Sequence, residues 1–254
     1  MHRRLKLRLA AQLSLLLSLL ISPFVVANGN QSIESFSTAK RLLLQQVYAA
    51  PESRRTLYCQ ASFDENKQVQ LHSGFATSKY LNRLARYETE HVVPAENFGR
   101  SFKAWREGHP ECVNNKGKPY KGRRCAEKTS AEYRLMQADM YNLYPAIGAV
   151  NAARSNYNFS MLNKADSDFG SCDLRIEKRK VQPPEAARGA IARSYLYMEA
   201  SYPRYSMSSS QRKLMQAWDK QYPVSAAECQ RAAIIERVQH NRNPIMSSRC
   251  AGRD

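Results

Sequence analysis

The chain contains no C-x-x-C pair, no H-E-x-x-H and only five histidines among its 254 residues. Zinc knuckles, zinc ribbons and zincin-type hydrolases need several His, Cys or carboxylate ligands at set spacings, so a secreted zinc hydrolase ranks low. Acidic residues are also scarce, with 22 Asp+Glu against 39 Lys+Arg and a net charge of +17. There is no internal repeat, low-complexity tract or long linker, and no collagen-like or heptad bias. Beyond residue 27 no apolar run approaches the roughly 18 residues of a spanning helix. With 43% hydrophobic and 9% aromatic residues the chain is not a disordered one. What remains is a globular protein with length enough for a sizeable core, whose charge calls for an acidic surface or a polyanion as partner.

Residues 1–27, MHRRLKLRLAAQLSLLLSLLISPFVVA, place Arg3, Arg4, Lys6 and Arg8 before a Leu-rich stretch that ends in Val25-Val26-Ala27. A basic start, an apolar middle and small residues at the end make a secretory signal peptide. The competing reading, a membrane anchor, is weakened by Ser14, Ser18, Ser22 and Pro23. Cleavage after Ala27 removes four positive charges and leaves a single domain, residues 28–254, carrying +13. All six cysteines lie in that part, and disulfides in an oxidising compartment suit them. Six cysteines allow fifteen pairings. Joining sequence neighbours gives Cys112–Cys125 and Cys229–Cys250, leaving Cys59–Cys172.

Helical spacing of Phe36, Ala39, Leu43 and Val47 predicts an amphipathic helix over 32–50, ended by Pro51. The stretch 56–64 reads as a strand, and 108–124 and 164–171 as loops. Further helices are expected over 131–139, 146–155, 185–202, 208–220 and 225–239, the last opened by a Ser225/Glu228 capping box. The simplest organisation is one α+β domain, helix-rich in its C-terminal half.

Chemistry narrows to two stretches. In RYETEHVVPAENFG, His91 follows Glu90 directly, with Glu88 two residues before. A histidine titrates near neutrality and can take a proton from water, and a carboxylate beside it can hold a hard cation. On an extended strand neighbours face opposite sides, so one shared site requires the strand to twist or end there, as Pro94 allows. The plainer reading is a surface histidine beside an ion-pairing carboxylate. In ADMYNLYPAIGAVNAARSNYNF, Asn142, Asn151, Asn156 and Asn158 offer neutral oxygens, and Asn151 and Arg154 share a helix face. One could bind a metal while the other meets a phosphate, or the asparagines could simply cap helices and form turns. Two basic clusters, Lys116/Lys118/Lys121/Arg123/Arg124 and Arg175/Lys178/Arg179/Lys180, are either phosphate contacts or solvated faces. Tyr141, Tyr144 and Tyr157 are either stacking platforms or core.

The runs EHVVPAENFG and DMYNLYPAIGAVNAARSN, with PPEAARGAIARSYLYM, AWDKQYPVSAAECQR and NRNPIM, resemble the bacterial endonuclease I family of periplasmic and secreted nucleases. The likeness covers nearly all of residues 28–254. It implies a ββα-metal (His-Me finger) core, one divalent metal, and sequence-tolerant hydrolysis of DNA, with RNA as a further substrate. By position His91 is the implied general base. Glu90 and Asn151 are the implied ligands of Mg²⁺, with Mn²⁺ or Ca²⁺ as alternatives. Arg123 or Arg124 is the implied arginine of the catalytic site, and the products would end in 5′-phosphate. Arg154, Lys178, Arg179 and Lys180 are the expected nucleic-acid contacts. Thr89 stands where some members carry Trp or another bulky residue. The resemblance also implies folding that depends on disulfides after export, hence an enzyme inert before export and found in the periplasm or outside the cell; a monomer is expected. The competing class is a secreted cationic nucleic-acid-binding protein without catalysis, which gives Glu90, His91 and Asn151 no purpose.

Overall fold

The computed structural model describes residues 29–163 and 166–252. The expected leader, residues 1–27, lies outside the described residues. Helix α1 (Phe36–Leu42) is capped by the Ser35 hydroxyl, which accepts from the Thr38 N–H, and the chain continues as a wider π turn over Leu43–Val47. The expected helix therefore starts four residues late. The segment 56–64, expected as a strand, is mostly turn. Thr56 bends it, because its carbonyl accepts the Gln60 N–H and its hydroxyl the Ala61 N–H, with Gln60 left-handed at φ 54°. Only β1 (Ser62–Phe63) remains extended, pairing with β2 (Val69–Gln70).

Strand β3 (Tyr87–His91) ends at His91, just before Pro94 starts α2 (Ala95–Gly99). Helices α3 (Lys103–Arg106), α4 (Arg123–Thr129) and α5 (Ala131–Gln137) then fill the long excursion before β4 (Leu143–Ile147). β4 returns antiparallel to β3, with His91 opposite Leu143 and Tyr87 opposite Ile147. Helix α6 (Gly148–Arg154) follows without a loop, so the first two residues of the expected helix finish the strand instead. Gly148 makes the junction possible: a Cβ there would sit 2.5 Å from the Arg83 carbonyl oxygen.

Strands β5 (Asn158–Phe159), β6 (Arg175–Glu177) and β7 (Lys180–Gln182) form a small sheet in the order β5-β7-β6. Its hairpin turns on Lys178 and Arg179, both left-handed. The C-terminal half is helical as expected, in α7 (Glu185–Ser201), α8 (Ser209–Gln221) and α9 (Ala226–Gln239), and a further helix, α10 (Pro244–Cys250), was not expected. The Ser225/Glu228 capping box is present.

The core gathers Phe98, Tyr133, Met136, Leu143, Ile147 and Ile191. Within it the fully buried Asp139 carboxylate accepts from the Asn30 and Tyr141 N–H groups, the Tyr197 and Tyr202 hydroxyls and the Gln239 amide, at 2.6–3.2 Å. A buried carboxyl group is tolerable only when its oxygens are hydrogen-bonded. The disulfides are Cys59–Cys172, Cys112–Cys125 and Cys229–Cys250, the pairing expected. Among the described residues no helix is long and apolar enough to cross a membrane.

Candidate active site

Side chains alternate across β3. Glu88 and Glu90 turn toward α6, while His91 turns toward α1 and α2. The imidazole of His91 is buried, its ring 4.8 Å from Phe36 and 6.4 Å from Phe98. Its Nε2 lies 2.8 Å from the main-chain oxygen of Gln137. A carbonyl can only accept, so Nε2 carries the proton and Nδ1 keeps its lone pair. Burial, and then the positive charge of Arg123, push the His91 pKa down to about 3. The ring is neutral at any physiological pH.

Glu90 is buried on the opposite face. Its Oε1 accepts from the Tyr58 hydroxyl at 2.5 Å and from Arg154 Nη1 at 2.9 Å. No hydrogen bond among the described residues engages Oε2. Burial raises the Glu90 carboxyl above its ordinary range, opposed by Arg154 and the Tyr58 hydroxyl.

Arg154, expected at the nucleic acid, requires correction. It is wholly buried, with guanidinium contacts to Glu90, to the carbonyls of His91 and Val92 at 2.9 and 2.6 Å, and to the Tyr195 hydroxyl, while its plane lies over Phe159. The shared helix face that made it a phosphate candidate instead turns it inward, onto the end of β3. It fixes the chain on which Glu90 and His91 sit.

Asn151, one turn earlier on α6, is half-buried and gives its amide Nδ2 to Glu88 Oε2 at 2.8 Å. That contact orients the amide, leaving Oδ1 without a hydrogen bond among the described residues. Glu88 is ion-paired with Arg83 as well. The two arginines before Cys125 separate clearly. Arg123 lies over Phe36 at 5.1 Å and donates to the Gln137 side-chain oxygen through Nε and Nη2, both at 3.3 Å. Arg124 is exposed and stacks on Tyr120.

Lys178, Arg179 and Lys180 are exposed on the β6–β7 hairpin, with Arg179 over Tyr157 at 5.7 Å. Tyr141 is core, and Tyr144 and Tyr157 are half-buried. Neither Gln137 nor Phe36 is a site candidate in the sequence, and Glu88 stands there only as a neighbour of Glu90. Glu88 had a signal, its i−2 spacing from Glu90 on a strand. Gln137 had none: its main chain meets His91 across 46 residues and its side chain meets Arg123 across 14.

Among the described residues no group of three or more His, Cys, Asp or Glu side chains could hold a metal ion. The hard oxygens that remain, Glu90 Oε2 and Asn151 Oδ1, fit a Mg²⁺-type ion that keeps most of its waters and takes few protein ligands.

Comparison with known proteins places the chain among the secreted and periplasmic nucleases. Residues 35–250 match the family described as Endonuclease I, and the chain belongs to that family. It is 38% identical to a periplasmic deoxyribonuclease of Aeromonas hydrophila over 245 residues, 94% of each chain. It is 37% identical to an extracellular deoxyribonuclease of the same organism over 245 residues, 94% of this chain and 97% of the relative. A Buchnera aphidicola endonuclease-1 is 37% identical over 227 residues, 87% of this chain and 83% of that one.

Proposed function

We propose that the chain is an exported endonuclease that hydrolyses phosphodiester bonds of DNA with little sequence preference, and that β3, β4 and α6 form a ββα-metal (His-Me finger) core. The observation that carries the reading is the His91 tautomer: Nε2–H is committed to Gln137, so Nδ1 is held as an unprotonated base.

In this mechanism Nδ1 of His91 takes the proton from a water aimed in line at phosphorus. The ring is neutral, and its Nδ1 lone pair is not used by a hydrogen bond among the described residues. Arg123, held at Gln137 beside the His91 ring, contacts a non-bridging phosphate oxygen and offsets the charge that builds in the transition state. Arg154 neither binds nor reacts; it fixes Glu90 against α6. Glu90 Oε2 and Asn151 Oδ1 hold a divalent metal, Mg²⁺ with Mn²⁺ or Ca²⁺ as alternatives. When bound, that ion supplies Lewis-acid stabilisation to the phosphate and the departing 3′ oxygen. Loss of the 3′ oxygen leaves 5′-phosphate ends. Because the nucleophile is water, the 2′-hydroxyl plays no part, and RNA is a chemically equivalent substrate.

Every residue invoked comes from one chain, so a monomer suffices. The net charge, +17 for the full chain and +13 without the expected leader, provides salt-sensitive, sequence-tolerant attraction to the phosphate backbone, with Lys178, Arg179 and Lys180 as surface contacts. The test is incubation of supercoiled plasmid with the protein in Mg²⁺ or in EDTA. Nicking in Mg²⁺ alone is expected, whereas binding without cleavage, indifferent to chelator, would favour a cationic binder.

A further inference from the structure

Alongside the site a cavity of about 520 Å³ runs past β3, lined by Phe36, Lys40, Lys67, Arg86, Glu88 and Thr89 among others. Phe36 is common to this cavity and to the His91 ring contact, and Glu88 is common to it and to the Asn151 contact. The cavity thus adjoins residues that touch both halves of the proposed site.

Its charge is unbalanced. Glu88, an acidic lining residue, is already engaged by Arg83 and Asn151. Lys40, Lys67 and Arg86 have no acidic partner among the described residues. Lys40 lies over Phe36 at 4.7 Å, Lys67 over Tyr87 at 5.8 Å, and Arg86 donates only to the Asn66 carbonyl. The three cations line one cavity, and Lys67 is held below the ordinary lysine range by burial and then by Lys40 and Arg86. Groups that repel one another around a water-filled pocket gain most from an anion with several acceptor oxygens.

The room comes from Thr89. It is half-buried among the lining residues, and its side chain carries only a methyl and a hydroxyl. A large ring at this position would occupy the space the cations surround.

We propose that this cavity is a phosphate subsite, taking the phosphodiester group next to the scissile one on the bound strand, with Lys40, Lys67 and Arg86 as its cations and Thr89 as the residue that keeps it open. The proposal rests on the nuclease reading for the identity of the strand, but not for the affinity of the cavity for an anion. Such a subsite fixes where along a chain cutting occurs relative to an end, and disfavours substrates too short to fill it.

The experiment is equilibrium binding of a short labelled DNA strand in EDTA, where no cleavage occurs, from about 50 to about 300 mM KCl. It compares wild type, the double variant Lys67→Ala/Arg86→Ala, Thr89→Trp, and Lys213→Ala as a remote-cation control. The double variant is expected to bind roughly tenfold more weakly and to lower the slope of log K against log salt by about one. Thr89→Trp, with every cation retained, is expected to weaken binding as much, and Thr89→Leu less. Lys213→Ala is expected to leave the slope as it was. A double variant with the wild-type slope, or a folded Thr89→Trp protein that binds as tightly as wild type, would overturn the subsite. Binding with the expected slope changes by a protein that never cleaves in Mg²⁺ would support the subsite and contradict the nuclease reading. The two failures are thus distinguishable.

Discussion

The Nε2–H of His91 donates to the main-chain oxygen of Gln137 at 2.8 Å, and the side-chain oxygen of that same glutamine accepts from Arg123. One residue at the end of α5 thereby sets both the tautomer of the proposed base and the position of the proposed phosphate contact. Because the first bond uses the main chain, substitution of the Gln137 side chain separates the two effects. Gln137→Leu is expected to release Arg123 while leaving the His91 bond intact. Measured on a DNA substrate, it should lower turnover in the direction of Arg123→Ala, and any shift of the acid limb should be upward, because the Arg123 charge helps hold the His91 pKa down.

Glu88 is a positioning residue for Asn151. Glu88→Gln removes the charge-assisted acceptor and the partner of Arg83, so the Asn151 amide loses its fixed orientation. Partners of this kind are worth about 10–100-fold in metal affinity. Calorimetric titration with Mg²⁺ or Mn²⁺ should show a loss of that size, and an unchanged affinity would remove Glu88 from the account.

Arg154 and Glu90 form a buried pair at 2.9 Å. Arg154→Met leaves the carboxylate without its counter-charge, a change that costs about 3–5 kcal/mol when a buried pair is broken from one side. Urea unfolding should show it as a lower midpoint. Weaker DNA binding at full stability would instead restore Arg154 as a nucleic-acid contact.

His91 links stability to pH with a definite sign. In the unfolded chain it takes up a proton below about pH 6.5, whereas in the fold it stays neutral down to about 3. Its contribution is therefore complete above the unfolded value and is lost as pH falls through the window between the two. The slope is about 1.4 kcal/mol per pH unit. His91→Gln has no such proton to take up, so the stability gap between wild type and variant should narrow steadily from neutral pH to about pH 4. A gap independent of pH would contradict the burial argument.

Much of this was legible in the residues. The C-terminal helices follow from apolar spacing and caps, and the capping box at Ser225 appears where its motif stands. The cysteine neighbours pair as expected. Local pattern failed where a distant contact decides. The 56–64 stretch has strand-forming residues, but Thr56 hydrogen bonds and the Cys59–Cys172 bridge fold it back on itself. At Arg154 the spacing from Asn151 was read rightly and the direction wrongly. A helix face shared with a metal-ligand candidate says nothing about whether that face looks out to solvent or into the end of a strand. Arg123 and Arg124 are adjacent and chemically alike, and only the packing of α4 against Phe36 and Gln137 tells them apart.

The central claim is that Nδ1 of His91 accepts the proton of the attacking water. The most direct measurement is plasmid cleavage in Mg²⁺ by His91→Gly, with and without added imidazole. The account predicts a loss of about 10²–10⁴-fold, partly restored by imidazole with a rate that follows the fraction of neutral imidazole as pH changes. Cleavage by the variant at close to the wild-type rate would contradict it.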